Sequence, residues 1–210
     1  MTVRCRLALL VVAGLVLTGC GSVHSGNAAV VGDERISMNE ADEVTEGYCT
    51  LAAQNAAAQG TTSIPGAEVR RGALSLLILE SVAEQVAERE DISITVAELD
   101  RSDLAQARQV FGDQTDLVVS TIKRNERALA VAMELARRQL GDEADDLSEQ
   151  ELGQIGQEIL RAEADSMDLS IDPRFGMAGI GEVVAPSGSL SVAGPVLEGQ
   201  ELPEALSCSA

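Results

Sequence analysis

The chain has 210 residues, three aromatic side chains and a formal net charge of −19. An excess of acid this large repels phosphate backbones, and Tyr48, Phe111 and Phe175 offer too few rings for base stacking, so nucleic acid is excluded as a partner. The acidic side chains read as a solvated surface that keeps copies of the chain apart.

At the start of the chain, Arg4 and Arg6 precede an apolar or small run over 7–17. A bilayer-spanning helix needs about 20 such residues, so this charged-then-apolar order is that of an export signal. Leu17-Thr18-Gly19-Cys20 resembles the bacterial lipobox, in which the cysteine thiol receives a diacylglycerol before the signal is cleaved. An ordinary signal peptide would need a separate cleavage site with small residues around it. The expected mature chain is therefore 20–210, and loss of Arg4 and Arg6 takes its formal charge to −21. Several acyl chains on one residue give stable anchoring. The expected location is a cell membrane, lipid-anchored on its extracytoplasmic face.

The polar stretch "SVHSGN", 22–27, completes a lipidated tether over 20–27, and folded structure is expected from Ala28. "AAVVGDERIS" reads as two short strands about a Gly32-Asp33 turn. Ser37 or Asn39 then caps a helix with Val44, Tyr48, Leu51 and Asn55 on one stripe, ending near Gly60, and "GTTSIPG" is a loop. Over 67–90, Leu74, Leu77, Ile78, Val82 and Val86 recur at helical spacing. Leu76 and Leu79 widen that stripe until the helix must be covered on most sides, which makes it the centre of the core. Ile92 and Ile94 alternate in an extended connector, and Thr95-Val96-Ala97-Glu98 fits a capping box opening a helix to about Val110. A long helix over 116–140 carries Val118, Ile122, Leu129, Met133, Ala136 and Leu140. After the charged linker "GDEADDLS", a second capping box at Ser148-Glu149-Gln150-Glu151 opens a helix with Leu152, Ile155 and Ile159 on one face. "MDLSIDPRFG" alternates as a short strand stopped by Pro173, and 176–210 is rich in glycine, proline and serine, an irregular tail laid over the helices.

Of the four cysteines, Cys5 leaves with the signal and Cys20 is acylated, so Cys49 and Cys208 remain for an oxidising compartment. A cysteine so near the end of the chain has no core of its own to enter. A Cys49–Cys208 disulfide is expected, closing a loop of roughly 160 residues, for which chain entropy alone gives about 4 to 5 kcal/mol. No catalytic constellation is visible. His24, the sole histidine, lies in the tether, no His, Cys and carboxylate cluster has metal-ligand spacing, and no cofactor is implied. "GIGEVVAPSGS" lacks the Lys-Ser/Thr that completes a phosphate loop.

Two segments carry a family resemblance. "AAVVGDERISMNEADE" resembles the opening of SurA-like and PrsA-like exported chaperones, and "LSLLILESVAEQVAEREDISITVAELD" resembles their apolar helix and the entry to the next one. "LSIDPRFG" is similar to the closing strand that returns, in lipoprotein relatives, to pair with the opening strand. The resemblance implies a mainly α fold with a small β element made by N-terminal and C-terminal strands, and a chaperone domain over 28–175. Members with isomerase activity insert parvulin domains of roughly ninety residues before the closing helix. Here 141–148 stands in that place, so prolyl isomerase activity is expected to be absent.

The resulting expectation is not an enzyme but a membrane-anchored holder of unfolded or newly exported polypeptides. Leu76, Leu79 and Met133 are the candidate client-binding residues, because a stripe wider than one packing face leaves side chains over for a groove. The alternative is a structural or accessory lipoprotein that binds one envelope protein.

Overall fold

The computed structural model describes residues 26–60, 63–184 and 207–208. The expected signal peptide, Cys20 and His24 lie outside the described residues.

Strands β1 (Asn27–Val31) and β2 (Glu34–Ser37) form the expected antiparallel hairpin, with Val31 paired to Glu34 across the turn. Gly32 takes a positive φ of 56°, and a Cβ there would meet Gln85 Oε1 at 2.6 Å. Only glycine relieves both demands. The same Gln85 donates through Nε2 to the Val31 carbonyl at 2.9 Å, so the turn is pinned from a helix more than fifty residues away.

Ser37 is the N-cap of α1 (Met38–Ala58), its Oγ accepting from the Glu40 amide at 3.1 Å. The buried stripe of α1 is Ala41, Val44, Gly47 and Ala53, while Asn55 is exposed. Small residues allow close approach: a Cβ on Gly47 would lie 2.8 Å from the Leu117 carbonyl oxygen. Next come β3 (Ile64–Pro65) and α2 (Gly66–Arg89), the latter burying Val69, Leu74, Leu77, Ile78, Val82 and Val86. As expected, α2 is the centre of the core. Around it lie Val31, Ile36, Val44, Val131, Ala132, Leu160 and Phe175.

The capping box expected at Thr95 to Glu98 does not form. This stretch is non-helical, and α3 (Arg101–Phe111) is capped by Asp100, whose carboxylate accepts from the Ser102 and Asp103 amides at 2.7 and 2.9 Å. Glu98 points instead to Lys123 Nζ at 2.5 Å, on α4 (Thr115–Leu140). A 3-10 turn, Gly112–Gln114, joins the two helices. Within the charged linker, "GDEADD" forms a 3-10 helix, Gly141–Asp146. The Ser148 capping box forms as expected: Glu151 accepts from the Ser148 amide at 2.9 Å and Ser148 Oγ from the Glu151 amide at 3.3 Å. It opens α5 (Glu149–Ser166), which runs back along α4.

The closing strand β4 (Leu169–Ile171) pairs antiparallel with β1, giving the sheet order β2-β1-β4. The chain is thus mainly α, with a small sheet built from both ends of the folded region. Beyond Phe175 the expected irregular tail begins with a hairpin of β5 (Met177–Gly179) and β6 (Glu182–Val183), whose Met177 is buried. The "GTTSIPG" loop also contains a strand: β3 pairs antiparallel with β7 (Ser207–Cys208), matching Ile64 to Cys208. Strands β3 and β7 depend on each other across a long stretch of sequence, so local composition carried no sign of them.

Candidate functional site

An open groove of about 560 Å³ lies where α1, α2, α4 and α5 meet. Its apolar lining is Tyr48, Leu51 and Ala52 from α1, Leu76 and Leu79 from α2, and Ile122 from α4. Leu76, 7% exposed, forms the floor, whereas Tyr48, Leu51, Leu79 and Ile122 are half-buried and leave part of each side chain facing the groove. Asn55, Asn125 and Gln157 give amide groups at the rim. An amphipathic helix normally hides its apolar stripe. Here the stripes of α1, α2 and α4 converge without closing over one another.

The local cause is Gly72. A Cβ at this position would come within 2.8 Å of Tyr48 Cε1 and 3.0 Å of its hydroxyl oxygen. The glycine therefore lets the Tyr48 ring lie flat on α2, where it forms a wall shared with a neighbouring depression of about 460 Å³. That depression continues past Ala52, Gly72 and Ser75 to Ile64, Val69, Met177 and Val183, the last 61% exposed.

Of the three residues expected to bind clients, the structure brings Leu76 and Leu79 together in this groove. Met133 is elsewhere, partly buried against Ala136, Ala144 and Leu152 between α4 and α5. Tyr48, Leu51 and Ile122 were legible as helix-stripe residues but not as groove residues, because the stripe period gives a face and not what covers it. The glycine inside the helix at position 72 was a local sign of the close approach of Tyr48.

Cys49 of α1 and Cys208 of β7 form a disulfide, with Cα atoms 5.8 Å apart and a sequence separation of 159. The separation is within the ordinary range for such bridges. The bond fixes β7 beside β3 and against α1 and α2, at the Ile64 end of the second depression.

A second cleft, of about 550 Å³, opens on a different face of α2 and is lined mainly by charged side chains. Glu80, 4% exposed, accepts from Arg124 Nη1 at 2.5 Å and Arg127 Nη1 at 2.9 Å, and Arg124 also reaches Glu40 at 3.1 Å. Ser81 donates to Glu34. Burial opposes the charge of Arg124, but the hydrogen bond and charge of Glu80, with those of Glu40, hold its pKa above the usual value. Glu84 is pushed up by burial, then by the like charges of Glu80 and Glu34, against the pull of Arg127 and Arg124. These charges bind one another and tie α2 to α4, which describes a structural lock. Among the described residues, no group of three or more His, Cys, Asp or Glu is placed to hold a metal ion, and no helix is long and apolar enough to cross a membrane.

The family model of a SurA-like N-terminal domain matches residues 1–116, more than half of the chain. That span includes the Tyr48, Leu51, Leu76 and Leu79 walls of the groove, while Ile122 and the rim contributed by α5 lie beyond it. Neither the curated proteins nor the solved structures that were compared contain a match.

Proposed function

The chain belongs to the SurA-like N-terminal domain family, a chaperone-type family, and on that premise we propose that it is a membrane-anchored chaperone-like lipoprotein that holds non-native or newly exported polypeptides. The observation that carries the reading is the open apolar groove walled by Tyr48, Leu51, Leu76, Leu79 and Ile122. An extended segment entering it removes apolar surface from water at about 25 cal/mol per Å², and the rim amides of Asn55, Asn125 and Gln157 receive its backbone groups. The net negative charge of the chain keeps loaded copies from associating.

Holding of this kind is passive, and the protein performs no bond chemistry. Its only histidine is His24, in the tether, and the junction between α4 and α5 spans 141–148, far short of an isomerase domain. Cys20 carries the lipid that keeps the groove at the extracytoplasmic face of the membrane.

The test is suppression of light scattering by several unrelated unfolded proteins, using the mature chain with and without Leu79→Asp and Leu51→Asp. Both positions are half-buried and line the groove, and because Leu79 also packs on the core the melting temperature of each variant is part of the test. Suppression of all the substrates, lost in both variants with melting temperature kept, supports the reading. Failure to suppress any of them, with one stoichiometric envelope protein recovered by crosslinking in cells, replaces it with a dedicated partner. Peptide assays are expected to reveal no acceleration of prolyl isomerisation over the spontaneous time of about tens to hundreds of seconds.

A further inference from the structure

Among the described residues, none that lines the main groove is charged, although the chain carries 15 basic and 34 acidic side chains. The polar part of the lining is Tyr48, Asn55, Ser75, Thr121, Asn125 and Gln157. Thr121 donates its hydroxyl to the Leu117 carbonyl of its own helix at 2.9 Å, and the other five side chains make no hydrogen bond among the described residues. The buried polar groups Glu80, Ser81 and Thr115 are each paired. Solvent satisfies an unpaired group on an open surface. An apolar segment laid over it removes that solvent and must supply the bond itself, or binding bears the cost of a polar group left unsatisfied.

The five are not equivalent. Asn55 and Asn125 are exposed and stay hydrated beside a bound segment, whereas Tyr48, Ser75 and Gln157 are half-buried. A hydroxyl offers a single rotating donor, while the carboxamide of Gln157 holds two donor hydrogens and an acceptor oxygen in one plane. That is the complement of a peptide group, which presents one N–H and one C=O whatever side chain it carries. The backbone beside Gln157 is also fixed: Gly156 lies against the main chain of Ala132, where a Cβ would come within 2.9 Å of Ala132 Cα. A carboxamide carried on a helix seated this closely is held ready for its partner.

We propose that Gln157 is the residue that pairs with the client's backbone: Oε1 accepts from a peptide N–H and Nε2 donates to a peptide C=O, while Leu51, Leu79 and Ile122 take up apolar side chains. The ligand class is an uncharged apolar segment with free backbone amide hydrogens, recognised without regard to the order of its side chains. The inference rests on the polypeptide-holding reading above and singles out, among the polar groups of the groove, the one that fixes the segment. Gln157 lies beyond residues 1–116, the span that the family model covers, so the assignment concerns this chain's own helices α4 and α5.

The experiment compares the mature chain with Gln157→Leu, which removes donor and acceptor together, and Gln157→Glu, which keeps acceptor oxygens and removes the donor. The probe is fluorescein-labelled Ser-Gly-Leu-Val-Ala-Val-Leu-Gly-Ser, read by anisotropy, with a series in which each amide between the glycines is replaced in turn by an ester that lacks the N–H. The unsubstituted protein is expected to bind at least one ester about three- to tenfold more weakly than the amide peptide, the size of one hydrogen bond. Gln157→Leu is expected to bind the amide peptide more weakly by a similar factor and to show no further loss with that ester, a coupling that a merely structural residue would not produce. Gln157→Glu is expected to bind more weakly but to keep the ester loss, because it still accepts. Thermal melts accompany each variant, and if leucine lowers the melting temperature the glutamate variant decides. Binding of the amide peptide by the folded variants as tight as that of the unsubstituted protein overturns the assignment and leaves the groove reading standing, as does an ester loss that persists in Gln157→Leu. Equal binding of every ester by the unsubstituted protein does the same. Binding of no peptide overturns both readings.

Discussion

Replacing Gly156 by alanine should destabilise the protein, although alanine is the better helix former. Gly156 sits where α5 presses on α4: a Cβ there would lie 2.9 Å from Ala132 Cα and nearer still to the carbonyl carbon and oxygen of that residue. Packed carbon atoms meet at about 3.5–4.0 Å, so the helices would have to part by roughly 1 Å at their closest contact. The colliding atoms are main chain, and no change of rotamer relieves them. Gly153, one turn earlier, provides the control, because a Cβ there meets only Leu129 Cδ1, at 3.1 Å, the tip of a flexible side chain. Alanine gains about 0.5–1 kcal/mol over glycine at either position from backbone entropy. At 153 that gain survives, so Gly153→Ala is neutral or stabilising by up to about 1 kcal/mol. At 156 overpacking of about 1–3 kcal/mol outweighs it and leaves a net loss of about 0.5–2 kcal/mol. For a chain of this size, each kcal/mol moves the melting temperature by about 2–4 °C. Urea denaturation followed by far-UV circular dichroism measures both variants, with unchanged slopes certifying that stability alone has moved. Gly156→Ala at or above the stability of Gly153→Ala would refute the reasoning, because the two helices would then not be in backbone contact at this point.

Glu80→Ala leaves the guanidinium groups of Arg124 and Arg127 facing each other across a site that is 4% exposed, and loss of one partner of a buried pair costs about 3–5 kcal/mol. Both arginines still reach water, so the expected loss is near or below the bottom of that range, about 2–3 kcal/mol, read by the same urea titration. Glu84→Gln acts with the opposite sign. The folded-state pKa of Glu84 is raised, first by burial and then by Glu80 and Glu34, so its ionisation as pH rises opposes folding. The glutamine variant should be the more stable by a few tenths of a kcal/mol at neutral pH, a small figure because the side chain is 47% exposed. The advantage should vanish below about pH 4, where the unfolded carboxyl is also protonated, and an advantage that persists there would contradict the assignment. Cys20→Ser should move the protein from the membrane fraction to the soluble one, with signal processing checked on the same gel. A processed variant that stays membrane-bound rules out lipid attachment at Cys20.

Much of the architecture was legible from the sequence because its causes are local. A capping serine acts over three residues, as at Ser37 and Ser148, and an apolar helical period acts over one or two turns, as in α2. The return of "LSIDPRFG" to the opening strand was implied by the family resemblance, and the Cys49–Cys208 pair followed from setting aside the two cysteines of the expected signal and lipobox. The remaining features are decided by partners far apart in the chain. Glu98 had the spacing of a cap, but Lys123 on α4 takes its carboxylate, and α3 starts at Asp100 instead. Met133 carried the same helical signature as Leu79, yet α5 covers it while the convergence of α1, α2 and α4 leaves Leu79 beside a groove. Glu80 is an acid inside an apolar helix, and its burial is decided by α4, which brings two arginines over it. The physical reason is common to all of these: periodicity and caps determine which face a helix presents, whereas burial, charge pairing and the opening of a groove depend on which second surface arrives there.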